Sequence, residues 1–328
     1  MSWFSSKPKE GVEVVRPGEQ AEQHHVQVDP KWLLKAGVLA VFGAAVCGYL
    51  ALCLLFYQGQ WQLLLHPAPM QTIPKDALPE HEDVHFAMTE SGQPTLFGWW
   101  IPADKGATWE TDTLVFVPSG SGSMSEATAR LTNLHLLRAN VFVFDYRGYG
   151  NSAKLRRPSE QSMNEDAVSA LHYLTDTRHI PPSHIVVVAD GLGCLPALHA
   201  ANQTPGVAGA ILDNPRMSQR TVFYADPRTA LLPLRLLLRD DFSLDAELQM
   251  FKAPKLILDS VGTGQGANDA REVYAHANEP KKLLKTPVVP GDGKLFGEMG
   301  DFLTEIFPST SSPAVPGSGS APSASPEK

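Results

Sequence analysis

From about Val84 the chain alternates two kinds of apolar pattern. Short, nearly unbroken apolar runs read as strands: TLFGWWIPA (95–103), TLVFVPSG (113–120), VFVFDYRG (141–148), IVVVAD (185–190), VAGAILDN (207–214), KLILDS (255–260) and KLLKTPV (282–288). Between them, apolar residues recur at helical spacing in ATARLTNLHLLRA (127–139), EDAVSALHYLTDT (165–177), CLPALHAANQ (194–203), DAREVYAHA (269–277) and GDFLTEIF (300–307). Ser159, or Asn164 if the helix starts later, is placed to cap the second of these. Strands buried on both faces and alternating with helices predict an α/β fold, a mostly parallel sheet covered by helices on both faces. Residues 215–253 break the alternation and read as a small helical insertion over one sheet edge. In such sheets chemistry gathers at the carboxyl ends of the strands. The loops to examine are therefore 118–125, 145–152, 190–194, 213–216, 259–269 and 290–296.

The ends of the chain carry different patterns. Residues 1–31 are polar, mixed in charge and without an apolar face, which predicts a disordered tail. Ala36–Tyr57 then holds no charged residue and shows apolar side chains on every face. At about 1.5 Å per residue it is long enough to cross about 30 Å of hydrocarbon. Trp32, Tyr57 and Trp61 flank it as interfacial aromatics do, so 32–60 reads as a transmembrane helix rather than a core helix. Lys7, Lys9, Arg16, Lys31 and Lys35 precede the span, and the next basic residue after it is Lys75. That asymmetry places the N-terminus in the cytoplasm and the domain at 61–307 on the trans side, a periplasm in a Gram-negative bacterium. Residues 308–328, rich in Pro, Ser, Gly and Ala, read as a second disordered tail.

Composition narrows the function. The 328 residues are 43% hydrophobic and 19% charged, with a net charge of −8. That charge, with no Lys/Arg stripe, gives no support for nucleic-acid binding. Of three cysteines, Cys47 and Cys53 lie in the span and Cys194 alone lies in the domain, so no disulfide framework is expected. No Cys/His cluster has metal-ligand spacing, and GTGQGA (262–267) lacks the surrounding unit of a nucleotide site, so neither metal nor cofactor is expected.

The run FDYRGYGNS (144–152), followed by RPSE (157–160) and EDAVSAL (165–171), resembles the α/β-hydrolase superfamily. More narrowly, it is similar to a branch with one N-terminal membrane anchor and a serine-hydrolase-like domain. LLLHPAPM (63–70) and DDFSLDAELQMFKAPKLIL (240–258) fit the same pattern, and the likeness covers about residues 80–307. The resemblance implies an α/β-hydrolase fold with a nucleophile at the centre of G-x-S-x-G, on a sharp strand–turn–helix elbow. Set against that motif, VVVADGLG (186–193) puts Ala189 on the first Gly, Asp190 on the variable residue and Gly191 on the Ser. The resemblance places the acid at Thr263 and the histidine at Lys294. All three triad positions are thus substituted, and acyl transfer needs a nucleophile, a base and a group orienting the base.

Asp190 stands one residue before the tip and is expected to point elsewhere. Cys194, in the first helical turn, is expected to be a packed thiol. SGSGS (119–123) occupies the place of the oxyanion loop, so Ser119, Gly120 and Ser121, with the amide of Leu192, outline a remnant anion-binding pocket. The expectation is a single-pass membrane protein without hydrolytic chemistry that binds a small acyl or anionic ligand or a membrane-protein partner. The alternative is an active ester, thioester or amide hydrolase with a displaced site, such as Ser121 (or Ser119 or Ser123) with Lys294 as base.

Overall fold

A computed structural model of the chain describes residues 29–74, 76–259, 265–285 and 293–307. The tails at 1–28 and 308–328 lie outside the described residues, as do the loops at 260–264 and 286–292. Contacts divide the chain into two compact units, Met1–Leu52 and Cys53–Lys328. Helix α1, Pro30–Gly59, runs through the first and into the second. In the first unit its apolar side chains are open to the surroundings, with Leu34 and Leu39 each 71% exposed. By length and composition it can cross a membrane.

In the second unit, eight strands among the described residues form one sheet in the order β1-β2-β4-β3-β5-β6-β7-β8. They are β1 Glu82–Met88, β2 Pro94–Ile101, β3 Trp109–Val117, β4 Ala139–Asp145, β5 Ile185–Asp190, β6 Gly209–Asp213, β7 Lys255–Asp259 and β8 Lys281–Lys285. From β4 onward to β8 the pairing is parallel, whereas β1, β2 and β4 pair antiparallel. The mostly parallel sheet expected from the unbroken apolar runs is present. The strand missing from the sequence reading is β1. Its alternation of Val84 and Phe86, both buried, with exposed Asp83 and His85 is the mark of an edge strand covered on one face.

The helices are α2 Thr128–His135, α3 Glu160–His172, α4 Cys194–Gln203, α5 Arg220–Ala225, α6 Leu234–Leu237, α7 Asp245–Met250, α8 Gln265–His276 and α9 Gly293–Ile306. One apolar cluster packs α3, α4 and α8 against one sheet face through residues such as Leu171, Leu198 and Val273. The other face carries α2 and α9, through Leu131 and Phe302. Ser159 caps α3: its Oγ accepts from the Ser162 amide while the Ser162 hydroxyl accepts from the Ser159 amide. That cap sets the start of α3 at Glu160, the earlier of the two expected starts. Between β6 and β7 the chain makes only the short helices α5, α6 and α7.

Small residues make α4 fit. Ala197, Ala200 and Ala201 are almost completely buried and let the helix approach α3 and the sheet closely. Fully burying Leu198 adds about 1.5–3 kcal/mol relative to an exposed leucine. The β5–α4 junction is thereby held rigidly at the carboxyl edge of the sheet.

Candidate functional site: an elbow without a nucleophile

Strand β5 ends at Asp190, Gly191–Gly193 makes one tight turn, and α4 begins at Cys194. Gly191 has φ +52°, a left-handed conformation that costs a residue with a Cβ about 1–2 kcal/mol. A Cβ placed on it meets nothing closer than the Ser119 Cβ, at 3.8 Å, so a side chain here has room. Gly193 is the opposite case. A Cβ there lies 2.6 Å from the Val117 carbonyl oxygen and closer still to that of Pro118, so only glycine lets α4 come this near the end of β3. The turn therefore has the backbone of a nucleophile elbow and no side chain at its tip.

The loop facing the tip, Ser119–Ser123, turns through Gly120 and Gly122 with φ of +78° and +80°. Its path is fixed by its carbonyls and amides. Tyr146 Oη donates to the Pro118 oxygen at 3.0 Å, and Tyr149 Oη donates to the Gly120 oxygen at 2.9 Å. The His66 amide also donates to the Gly120 oxygen (3.0 Å), and the Gly122 amide donates to the His66 oxygen (2.9 Å). The Met124 amide donates to Asp145 Oδ1 at 2.7 Å. Both tyrosine side chains of the YRGYG run thus reach a specific partner, and its glycine amides donate to the Ala153 and Ala68 oxygens. Arg147 completes the set by pairing through Nε with Asp166 at 2.5 Å and through an Nη with Glu165 at 2.7 Å. The sequence reading took this run as a family marker. Two tyrosines inside a glycine turn at the end of a buried strand were the signal that it buttresses the loop.

The three serines of the loop differ in what they can do. Ser123 is buried, with its hydroxyl donating to the Pro69 oxygen (3.2 Å) and in contact with Ser125 Oγ (2.6 Å). Ser121 is exposed and stands opposite His66 in a backbone bridge. Ser119 is half-buried beside the empty tip. The structure thus brings Gly191, Leu192 and the 119–122 loop to one sheet edge. Thr263 lies outside the described residues, and so does the side chain of Lys294 at the start of α9.

The remaining candidates are engaged elsewhere. Asp190 turns toward α2, where Arg130 lies 3.9 Å from it and pairs with Asp213 at 2.5 Å. Burial raises the Asp190 carboxyl above the usual carboxylate range, with Asp213 adding to the rise and Arg130 opposing it. Cys194 is 1% exposed, and burial pushes its thiol well above the ordinary value, so it is not a ready nucleophile. His199, on α4, pairs with Glu247 of α7 at 2.7 Å, away from the tip. Among the described residues no group of His, Cys, Asp and Glu is arranged to hold a metal ion. A groove of about 990 Å³ lined by Glu160, Glu165, His199 and Asp240 lies along the helix layer, not at the strand ends, so it is separate from the elbow.

A mostly parallel sheet, a strand–turn–helix elbow and a facing glycine loop define the α/β-hydrolase fold, and the chain has that fold. Its sequence matches no family model. It is 30% identical over 249 residues to the uncharacterized protein Rv2307c of Mycobacterium tuberculosis, covering 73% of this chain and 82% of that one. It therefore belongs to one family with Rv2307c. It is also 29% identical over 186 residues to the alpha/beta hydrolase domain-containing protein aho-3 of Caenorhabditis elegans, covering 55% and 52% of the two chains. The solved esterase Pf2001 of Pyrococcus furiosus superposes with a TM-score of 0.56 at 19% identity, over 74% of this chain and 99% of that one. That likeness is one of fold.

Two predictions follow from the loop's supports. Tyr149→Phe leaves the buried Gly120 carbonyl without this donor and is expected to lower stability by about 1–2 kcal/mol in denaturant unfolding. Asp145 is buried, which raises its carboxyl from 3.8 to about 6, against the Met124 and Asn151 amides that favour its charge. A carboxyl raised on folding contributes stability that is fully present below its unfolded value and is lost as pH rises through the folded one. The stability contributed by this residue is therefore expected to fall between about pH 4 and 6, and a pH series on Asp145→Asn is expected to lack that component.

Proposed function

We propose that this chain is a membrane-anchored α/β-hydrolase-fold protein that binds a ligand or partner at its elbow without hydrolysing it. One observation carries the reading: the residue at the tip is Gly191, in the backbone conformation of a nucleophile and with open space where the side chain belongs. Acyl transfer has no attacking atom there. A glycine loop beside an open strand–helix turn suits a carboxylate or acyl carbonyl oxygen, so the ligand class is a small acyl or anionic group. Helix α1 is the anchor, and the excess of Lys and Arg before it sets the N-terminus in the cytoplasm and the body on the opposite side. A membrane-protein partner is the other occupant the elbow admits. Nucleic acid does not suit a body of this net charge.

A second reading is favoured by Ser119. Its Cβ stands beside the empty tip, so a displaced serine there, or Ser121 with Lys294 as base, would make the chain an ester, thioester or amide hydrolase.

The two readings separate in one experiment. The purified full-length protein is assayed with ester, thioester and amide substrates and treated with a fluorophosphonate, beside Ser119→Ala/Ser121→Ala. Turnover equal to that of the double variant, with no covalent adduct, is expected. Turnover that the double variant loses, with an adduct mapped to Ser119 or Ser121, would make the second reading correct.

A further inference from the structure

The end of α1 carries a feature that the elbow does not use. A cavity of about 920 Å³ has apolar walls from Leu54, Leu55, Tyr57 and Trp61 and a basic rim from Arg156 and Arg157. Both arginines are exposed, and neither forms an ion pair among the described residues. A third arginine, Arg239, lies with its guanidinium 5.1 Å from the centre of the Tyr57 ring. Arg157 and Arg239 also line the neighbouring groove with Glu160, Glu165, Asp240 and Asp241. Burial raises the Asp240 carboxyl, and the Glu160 amide, Arg239 and Arg157 oppose the rise. Glu160 is occupied in accepting from the Phe242 amide at 2.6 Å.

The rim is tied firmly to the last turns of the helix. Gln60, 3% exposed, donates to the Leu237 oxygen at 2.8 Å and accepts from the Arg239 amide at 3.1 Å. Phe56 packs edge-on against Phe223 with ring centres 6.1 Å apart. The α5–α6 segment therefore stands at the level where the apolar helix ends. On that segment Leu231 and Leu236 are 81% and 82% exposed, and Tyr224 is 56% exposed. Exposed leucines and a tyrosine on a segment bound to the end of the apolar helix, where exposed arginines also stand, are the composition of an interfacial surface.

We propose that Arg156, Arg157 and Arg239 form a site for the phosphate of an anionic phospholipid, with an acyl chain lying against Leu54 and Leu55. Leu231 and Leu236 enter the same leaflet beside it. The site rests on the reading of α1 as a membrane anchor. Guanidinium groups match phosphate with paired donors, and their (CH₂)₃ stems lie along apolar surface. The headgroup then fixes the body against the bilayer at a second point beyond the helix itself.

The test uses the full-length chain in detergent, titrated with phosphatidylglycerol or phosphatidylcholine and read by native mass spectrometry, with membranes extracted separately in alkaline carbonate. Selective retention of phosphatidylglycerol is expected. Arg156→Gln/Arg157→Gln is expected to weaken it by about fivefold for each arginine removed, and Arg156→Lys/Arg157→Lys to retain most of it. Arg271→Gln, at an exposed position of α8, is expected to leave it unchanged. Equal retention of both lipids, no effect of the glutamine variant, or displacement of the lipid by inorganic phosphate at equal concentration would overturn the headgroup site. Release of the chain by carbonate would overturn the anchor instead. A chain that stays in the membrane but binds lipid unselectively overturns the site alone.

Discussion

Gly193 lies so close to the end of β3 that no Cβ fits there, and the candidate site is built around that approach. A single Cβ at Gly193 would collide with the carbonyls of Val117 and Pro118. Glycine there lets α4 start directly behind the sheet edge. That start forces the preceding residue pair into a tight turn and Gly191 into the left-handed region. The same proximity brings Ser119 against the tip. The Ser119–Ser123 loop cannot shift away, because Tyr146, Tyr149, the Met124–Asp145 bond and the His66 bridge hold it from four sides. The elbow is thus kept by packing and hydrogen bonds that do not depend on a side chain at its tip.

Much of this was legible in the sequence because it rests on local chemistry. Unbroken runs such as IVVVAD require burial on both faces, and the parallel core strands follow. Glycines at 191 and 193 mark the turn whatever the side chain at its tip, and Ser159 with Ser162 marks the start of α3. Other features were not legible, because they depend on which distant residues meet. Nothing in the local pattern shows that Tyr149 reaches Gly120, that His66 bridges to Ser121, or that Arg130 gathers Asp190 and Asp213. Strand β1 was visible in principle, as the alternation of Val84 and Phe86 with Asp83 and His85. That short alternation is a weaker signal than a continuous apolar run.

The helix and the body are linked by more than the chain. Gln60 spends its buried amide on the backbone at Leu237 and Arg239, and Phe56 meets Phe223. From Leu63 to His66 the chain needs only three more residues to reach the loop that faces the elbow. At no more than about 3.6 Å per residue, the loop stands roughly 11 Å or less along the chain from the end of the helical segment.

The most direct measurement is covalent labelling of a restored triad. Gly191→Ser, Thr263→Asp and Lys294→His are combined in the full-length protein, treated with a fluorophosphonate and mapped by peptide mass. An adduct at residue 191 in the triple variant and none in the wild type is the expected result, since the tip has the backbone and the space for a nucleophile. A triple variant that folds and stays unlabelled, with an adduct on Ser119 or Ser121 of the wild type, would contradict it and place the chemistry on the facing loop.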